Sequence, residues 1–210
     1  VTTIAPIENT RSLIVANVAA LALALWSQWP LALLLWPYWV QSLVIGWFSR
    51  KRILALQDFS TEGFKINDVA VAPTRAVKAS TANFFALHYG FFHLVYFVFL
   101  LQGVAALTPI DWLGLAAAAV GFIVNHQASY RHNIEADARG KPNIGTLMFL
   151  PYLRIVPMHL TILAGRALAG AQVSVWGLLV FGCLKTGADV AMHVIEHRLL
   201  QKGAVSPPKP

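Results

Sequence analysis

Residues Val173–Val194 read VSVWGLLVFGCLKTGADVAMHV. The run is apolar, and its length suits a helix crossing a bilayer, which takes about 20 residues. It also carries Lys185, Asp189 and His193, one every four residues. On a helix these three fall on one stripe. Ionisable groups at membrane depth are costly and mark a working site until shown otherwise. An Asp and a His one turn apart can also supply two ligands to one side of a metal ion.

The composition around this run agrees with a membrane location. Of 210 residues, 57% are hydrophobic and 12% are charged, about half the charged share of a soluble domain. Too few polar residues remain to solvate a large surface. The expectation is an all-α integral membrane protein, one domain over residues 1–200, with six transmembrane helices. The spans fall at about 12–27, 31–48, 83–107, 112–130, 146–168 and 173–197, the first two near the lower length limit for a crossing. Gln28, Trp29 and Pro30 form a tight turn between the first two spans. Ile53–Phe59 reads as a short interfacial helix and Pro73–Thr81 as loop. Arg131–Gly145 reads as a second polar loop turning at Lys141, Pro142 and Asn143. The tail at residues 201–210, with three prolines, reads as disordered. The lone Cys183 excludes an internal disulfide and a cysteine-based zinc site.

The net charge of +7 does not point to nucleic acid, because its distribution follows topology. Arg11, the loop after the second span (Arg50, Lys51, Arg52, Lys65, Arg75, Lys78), the loop after the fourth (Arg131, Arg139, Lys141) and the tail (Arg198, Lys202, Lys209) share one side. Only Arg166 falls opposite, while Arg154 and Lys185 lie inside spans. Both termini are therefore expected in the cytoplasm of a bacterial inner membrane. Trp26, Trp29, Trp112 and Trp176 would sit near the outer boundary as an aromatic belt.

This topology places His88, His126, His159, Asp189 and His193 at overlapping depths in the inner half of the membrane. Three imidazoles and a carboxylate suit a zinc-like divalent ion. His88, His159, Asp189 and His193 are the preferred ligands, with His126 as reserve or as a partner orienting one of them. Lys185 is one turn from Asp189, so a buried ion pair competes with the metal reading. Arg154 would neutralise the same carboxylate or hold an anionic headgroup. His93 sits about 140° round the third span from His88 and reads as packing or hydrogen bonding. His132 belongs to a loop.

The runs Trp36-Pro-Tyr-Trp-Val-Gln-Ser-Leu-Val-Ile-Gly, Phe84-Phe-Ala-Leu-His-Tyr-Gly-Phe-Phe, Pro151-Tyr-Leu-Arg-Ile-Val-Pro-Met-His-Leu-Thr-Ile and Leu184-Lys-Thr-Gly-Ala-Asp-Val-Ala-Met-His resemble a family of bacterial polytopic membrane proteins known only as a domain of unknown function. The resemblance covers most of residues 12–198. It implies motif positions at His88, His126, Ser129, Asn133, Arg154, His159, Lys185, Asp189 and His193, and it implies no activity. The family pattern has a second His one turn further along the third span, where this chain has Tyr96.

The leading functional expectation is a metal-dependent membrane hydrolase acting on a lipid-like substrate from the cytoplasmic leaflet. Zinc would lower the pKa of a bound water, and Lys185 or Arg154 would stabilise an oxyanion as catalytic groups. The alternatives are a non-enzymatic divalent-metal transport or sensing protein, with Asp189 and Lys185 as proton relay, and haem held by two histidines. Membrane lipid is the expected partner, and a homo-oligomer is compatible with the sequence.

Overall fold

The computed structural model describes residues 6–167 and 173–204. Among the described residues, the chain is helical apart from one small hairpin, with a 3₁₀ turn at Leu101–Ala106. In order, α1 spans Pro6–Trp26, α2 Leu31–Ala55, α3 Arg75–Leu100, α4 Pro109–Arg139, α5 Ile144–Phe149, α6 Tyr152–Ala167 and α7 Val173–Ala204. Two compact units result. One comprises residues 1–31 and 153–210, and the other residues 32–152.

In the first unit, α1 packs along α7. The close approach is set by Gly182, where an added Cβ would lie 2.7 Å from Leu21 Cδ2. Leu21 is one turn after Asn17, and Gly182 lies just before Lys185, so this contact also brings the polar residues of the two helices together. α1 stops at a left-handed turn. Gln28 has φ 50° and the Trp29 N–H donates to the Ala24 carbonyl at 2.9 Å, which closes the helix C-terminus as a Schellman-type cap does. The expected turn at Gln28–Pro30 is thus present.

In the second unit, the antiparallel helices α2 and α3 meet at Gly46, where an added Cβ would lie 2.5 Å from Tyr89 Cε1. The Tyr89 ring therefore packs directly on the α2 backbone, and Phe85, Tyr89, Trp36 and Ile53 are buried. At the end of α2 the two polar connections are knitted together. The Ser60 N–H donates to the Pro142 carbonyl at 2.9 Å and the Ile144 N–H to the Ser60 carbonyl at 3.0 Å. Arg52 grips Asp137 with two bonds of 2.6 and 2.7 Å, and Lys51 lies over the rings of Phe48 and Tyr130.

Several boundaries differ from expectation, each for a local reason. α3 starts at Arg75, not after residue 81, because the Thr74 side chain caps it by accepting from the Val77 N–H at 3.2 Å. α4 runs on to Arg139 through the expected loop, held by the Arg52–Asp137 pair and an Arg139–Glu135 ion pair along the helix. α2 ends at Ala55, so Ile53–Phe59 is not a separate helix. The fifth expected span is broken at Leu150 and Pro151 into α5 and α6. Lys65–Ile66 and Val69–Ala70 form an antiparallel hairpin, with Asn67 and Asp68 at φ 50° and 62° in its turn, as such two-residue turns require. α7 extends four residues into the expected tail, and residues 205–210 lie outside the described residues.

Among the described residues, two helices are long and apolar enough to cross a membrane, α2 and α3, not six. Asn17–Trp26 of α1 is a shorter apolar stretch, and parts of α1, α6 and α7 lie outside the residues whose side chains are described.

Candidate functional site

The polar centre of the first unit lies where α1 and α7 touch. Lys185 and Asp189 stand one turn apart on α7, and Lys185 Nζ donates to Asp189 Oδ2 at 2.6 Å. Asn17 of α1 joins them. Its amide nitrogen donates to Asp189 Oδ2 at 3.1 Å, and its amide oxygen accepts from Lys185 Nζ at 2.9 Å. Donors and acceptors therefore alternate round a closed ring of three side chains. Asp189 is buried at 8% exposure, and the Lys185 side chain keeps 29%. Such a pair is stabilised only when further hydrogen bonds satisfy its members, and the bifunctional Asn17 amide supplies one to each.

Asn17 was not among the expected site residues. The signal was present, since a carboxamide amid Leu, Ala and Val of an apolar helix needs a polar partner. Nothing in the sequence pairs α1 with α7, however, and the partner emerges only from the packing at Gly182.

His88 and His126 belong to the second unit and His159 to the first. His88 is exposed, stacks on Phe84 at 5.2 Å between ring centroids, and shares a 2.9 Å hydrogen bond between Nδ1 and the Tyr152 hydroxyl. His126 is half-buried, and His159 and His132 are exposed. The side chains of His193 and Arg154 lie outside the described residues. Among the described residues, no group of three or more His, Cys, Asp or Glu is placed to hold a metal ion. The histidine cluster and zinc site expected from matching depths thus find no support, because depth along a helix leaves the direction of each side chain open. Asp189, the one carboxylate of the expected set, is engaged by Lys185 and Asn17.

His93, expected to pack or hydrogen-bond, does both. It is buried on α3, stacks on Tyr89 with ring centroids 4.3 Å apart, and its Nδ1 donates to the Tyr89 carbonyl at 2.8 Å. Tyr89 shares a 2.8 Å hydrogen bond with the Ser42 hydroxyl. Trp36, Trp39, Phe97 and Trp112 form an edge-on aromatic cluster beside them.

No curated protein and no solved structure matches the chain. The chain belongs to the family of unknown function DUF6498, whose model matches residues 6–206.

Proposed function

We propose that this protein is a six-span integral protein of the bacterial cytoplasmic membrane, both termini inside, which moves a divalent cation in exchange for protons without catalysing a chemical reaction. The observation that carries this reading is the Asn17–Lys185–Asp189 ring. An ammonium and a carboxylate held at membrane depth on an otherwise apolar helix are costly, and such groups recur in ion pathways and proton relays. The ring also offers the oxygens that a hard cation takes, the Asp189 carboxylate and the Asn17 carboxamide. Lys185 is a tethered cation on both. A proton or a divalent ion reaching Asp189 competes with it. Protonation of one carboxylate oxygen leaves a neutral acid, while Lys185 keeps its charge and its bond to Asn17.

The six spans rest on the one-sided distribution of Lys and Arg along the sequence. The relay needs no histidine cluster, which is why it is preferred to the zinc hydrolase.

The test is flux. Purified protein is reconstituted in liposomes holding a pH-sensitive dye and a metal indicator, and Zn²⁺ or Mn²⁺ is added outside. The reading expects metal entry with an opposing proton signal, absent from empty vesicles. Folded, inserted protein that moves neither metal nor protons would overturn it. Stoichiometric zinc that survives dialysis, together with hydrolysis of a lipid substrate, would restore the enzyme reading.

A further inference from the structure

The buried face of α3 carries a second polar set, in the other unit. Thr81, Phe85, Tyr89, His93, Tyr96 and Leu100 are all buried, at the three- and four-residue spacing of one helical stripe. His93 is 2% exposed. Its Nδ1 faces the Tyr89 carbonyl, which can only accept, so Nδ1 carries the proton. In the neutral ring Nε2 is then an acceptor with a fixed direction. That atom is buried, and no hydrogen-bond donor among the described residues reaches it.

A second atom on the facing helix has the complementary need. Trp36 Nε1 is a buried donor without an acceptor among the described residues. Trp36 and His93 belong to one layer of the α2–α3 pair. Trp39 donates to the His93 carbonyl at 3.0 Å, and the Trp36 ring packs on Trp39 at 5.7 Å and on Phe97, one turn beyond His93, at 5.9 Å. One atom lacks a donor and the other an acceptor. A hydroxyl is both.

Buried polar atoms are normally paired with protein or ordered water. We infer that the α2–α3 pair binds an O–H group at His93 Nε2, making this a ligand site inside an apolar helix pair. The near-complete burial of His93 favours an internal water, and a lipid hydroxyl is the other source of the same chemistry. His93 is one helical turn from Tyr89, whose hydroxyl pairs with Ser42.

The experiment is ¹⁵N NMR of histidine-labelled protein in lipid nanodiscs, with the His93 signal assigned by His93→Gln and His93→Phe. The inference expects a protonated Nδ1, an Nε2 shift displaced toward the hydrogen-bonded position, and magnetisation transfer to Nε2 from water. Transfer from lipid hydroxyls instead, lost in nanodiscs of hydroxyl-free lipid, also supports the site and identifies its source. An Nε2-protonated ring, or a bare Nε2 with transfer from neither source, would overturn it. The signal is read on the unmodified protein and does not depend on flux, so failure of the transport reading leaves it standing.

Discussion

Asp189→Asn should destabilise the protein far more than the loss of one hydrogen bond would. The substitution keeps the shape of the side chain but leaves the Lys185 ammonium facing a neutral amide. Removing one partner of a fully buried ion pair costs about 3–5 kcal/mol. Here the Lys185 side chain is 29% exposed, and it retains the Asn17 oxygen at 2.9 Å. Partial solvation lowers the expected loss to about 2–3 kcal/mol. Lys185→Met should cost about the same, because it removes the ammonium from a buried carboxylate. The double variant Lys185→Met/Asp189→Leu removes both charges while filling the space, and should fall within about 1 kcal/mol of the parent. With Asp189→Leu costing at least as much as Asp189→Asn, the two single losses would then exceed the double loss by about 3–7 kcal/mol, a coupling energy expected of residues in one hydrogen-bonded network. Equilibrium unfolding of the parent, Lys185→Met, Asp189→Leu and the double variant in mixed micelles, followed by circular dichroism and tryptophan fluorescence, gives all four corners of the cycle. Strict additivity, or an Asp189→Asn change within about 0.5 kcal/mol of zero, the range of an ordinary surface substitution, would refute the argument.

Three other perturbations follow from the packing. Gly46→Ala places a methyl 2.5 Å from the Tyr89 ring, an overpacking that should cost about 1–3 kcal/mol in the same unfolding assay; Gly90→Ala, with no atom within 4 Å of its added Cβ, is the control without a clash. Arg52→Lys breaks the paired bonds to Asp137, since an ammonium cannot match the fork of a guanidinium; the expected loss is about 1 kcal/mol, with faster proteolysis in residues 131–145. Asp111 gives a pH signature. The hydroxyl and N–H of Thr108 donate to its carboxylate and hold its pKa below the usual carboxylate range. With the folded value below the unfolded one, its contribution is present above the ordinary value of about 3.9 and is lost as pH falls through the lowered value. Asp111→Asn should flatten the acid limb of stability against pH, and an unchanged limb would contradict the cap.

Much of the helical layout was legible because apolar run length and charge position are local properties. The turn at Gln28–Pro30 fell where composition shifts. The helix ends on the polar side did not, because tertiary pairs set them. Nothing near Asp137 announces that Arg52, 85 residues away, will hold that part of α4 helical. The break at Leu150 and Pro151 had a local sign in the proline, but an unbroken apolar run obscured it. The site divides in the same way. The Lys185–Asp189 spacing belongs to one helix, and their ion pair was weighed directly against the metal reading. Asn17 required knowing that α1 lies against α7. A histidine layer needs the direction of each side chain as well as its depth, and helix rotation about its own axis is what depth cannot fix.

The central claim is that the Lys185–Asp189 pair does work and is not merely tolerated. The charge-free variant Lys185→Met/Asp189→Leu tests this most directly, because the ion-pair energetics expect it to fold as well as the parent. Reconstituted beside the parent in the flux assay, it should unfold at the same denaturant concentration and yet move neither protons nor metal. A double variant that folds and transports like the parent would contradict the account and reduce the ring to a structural ion pair.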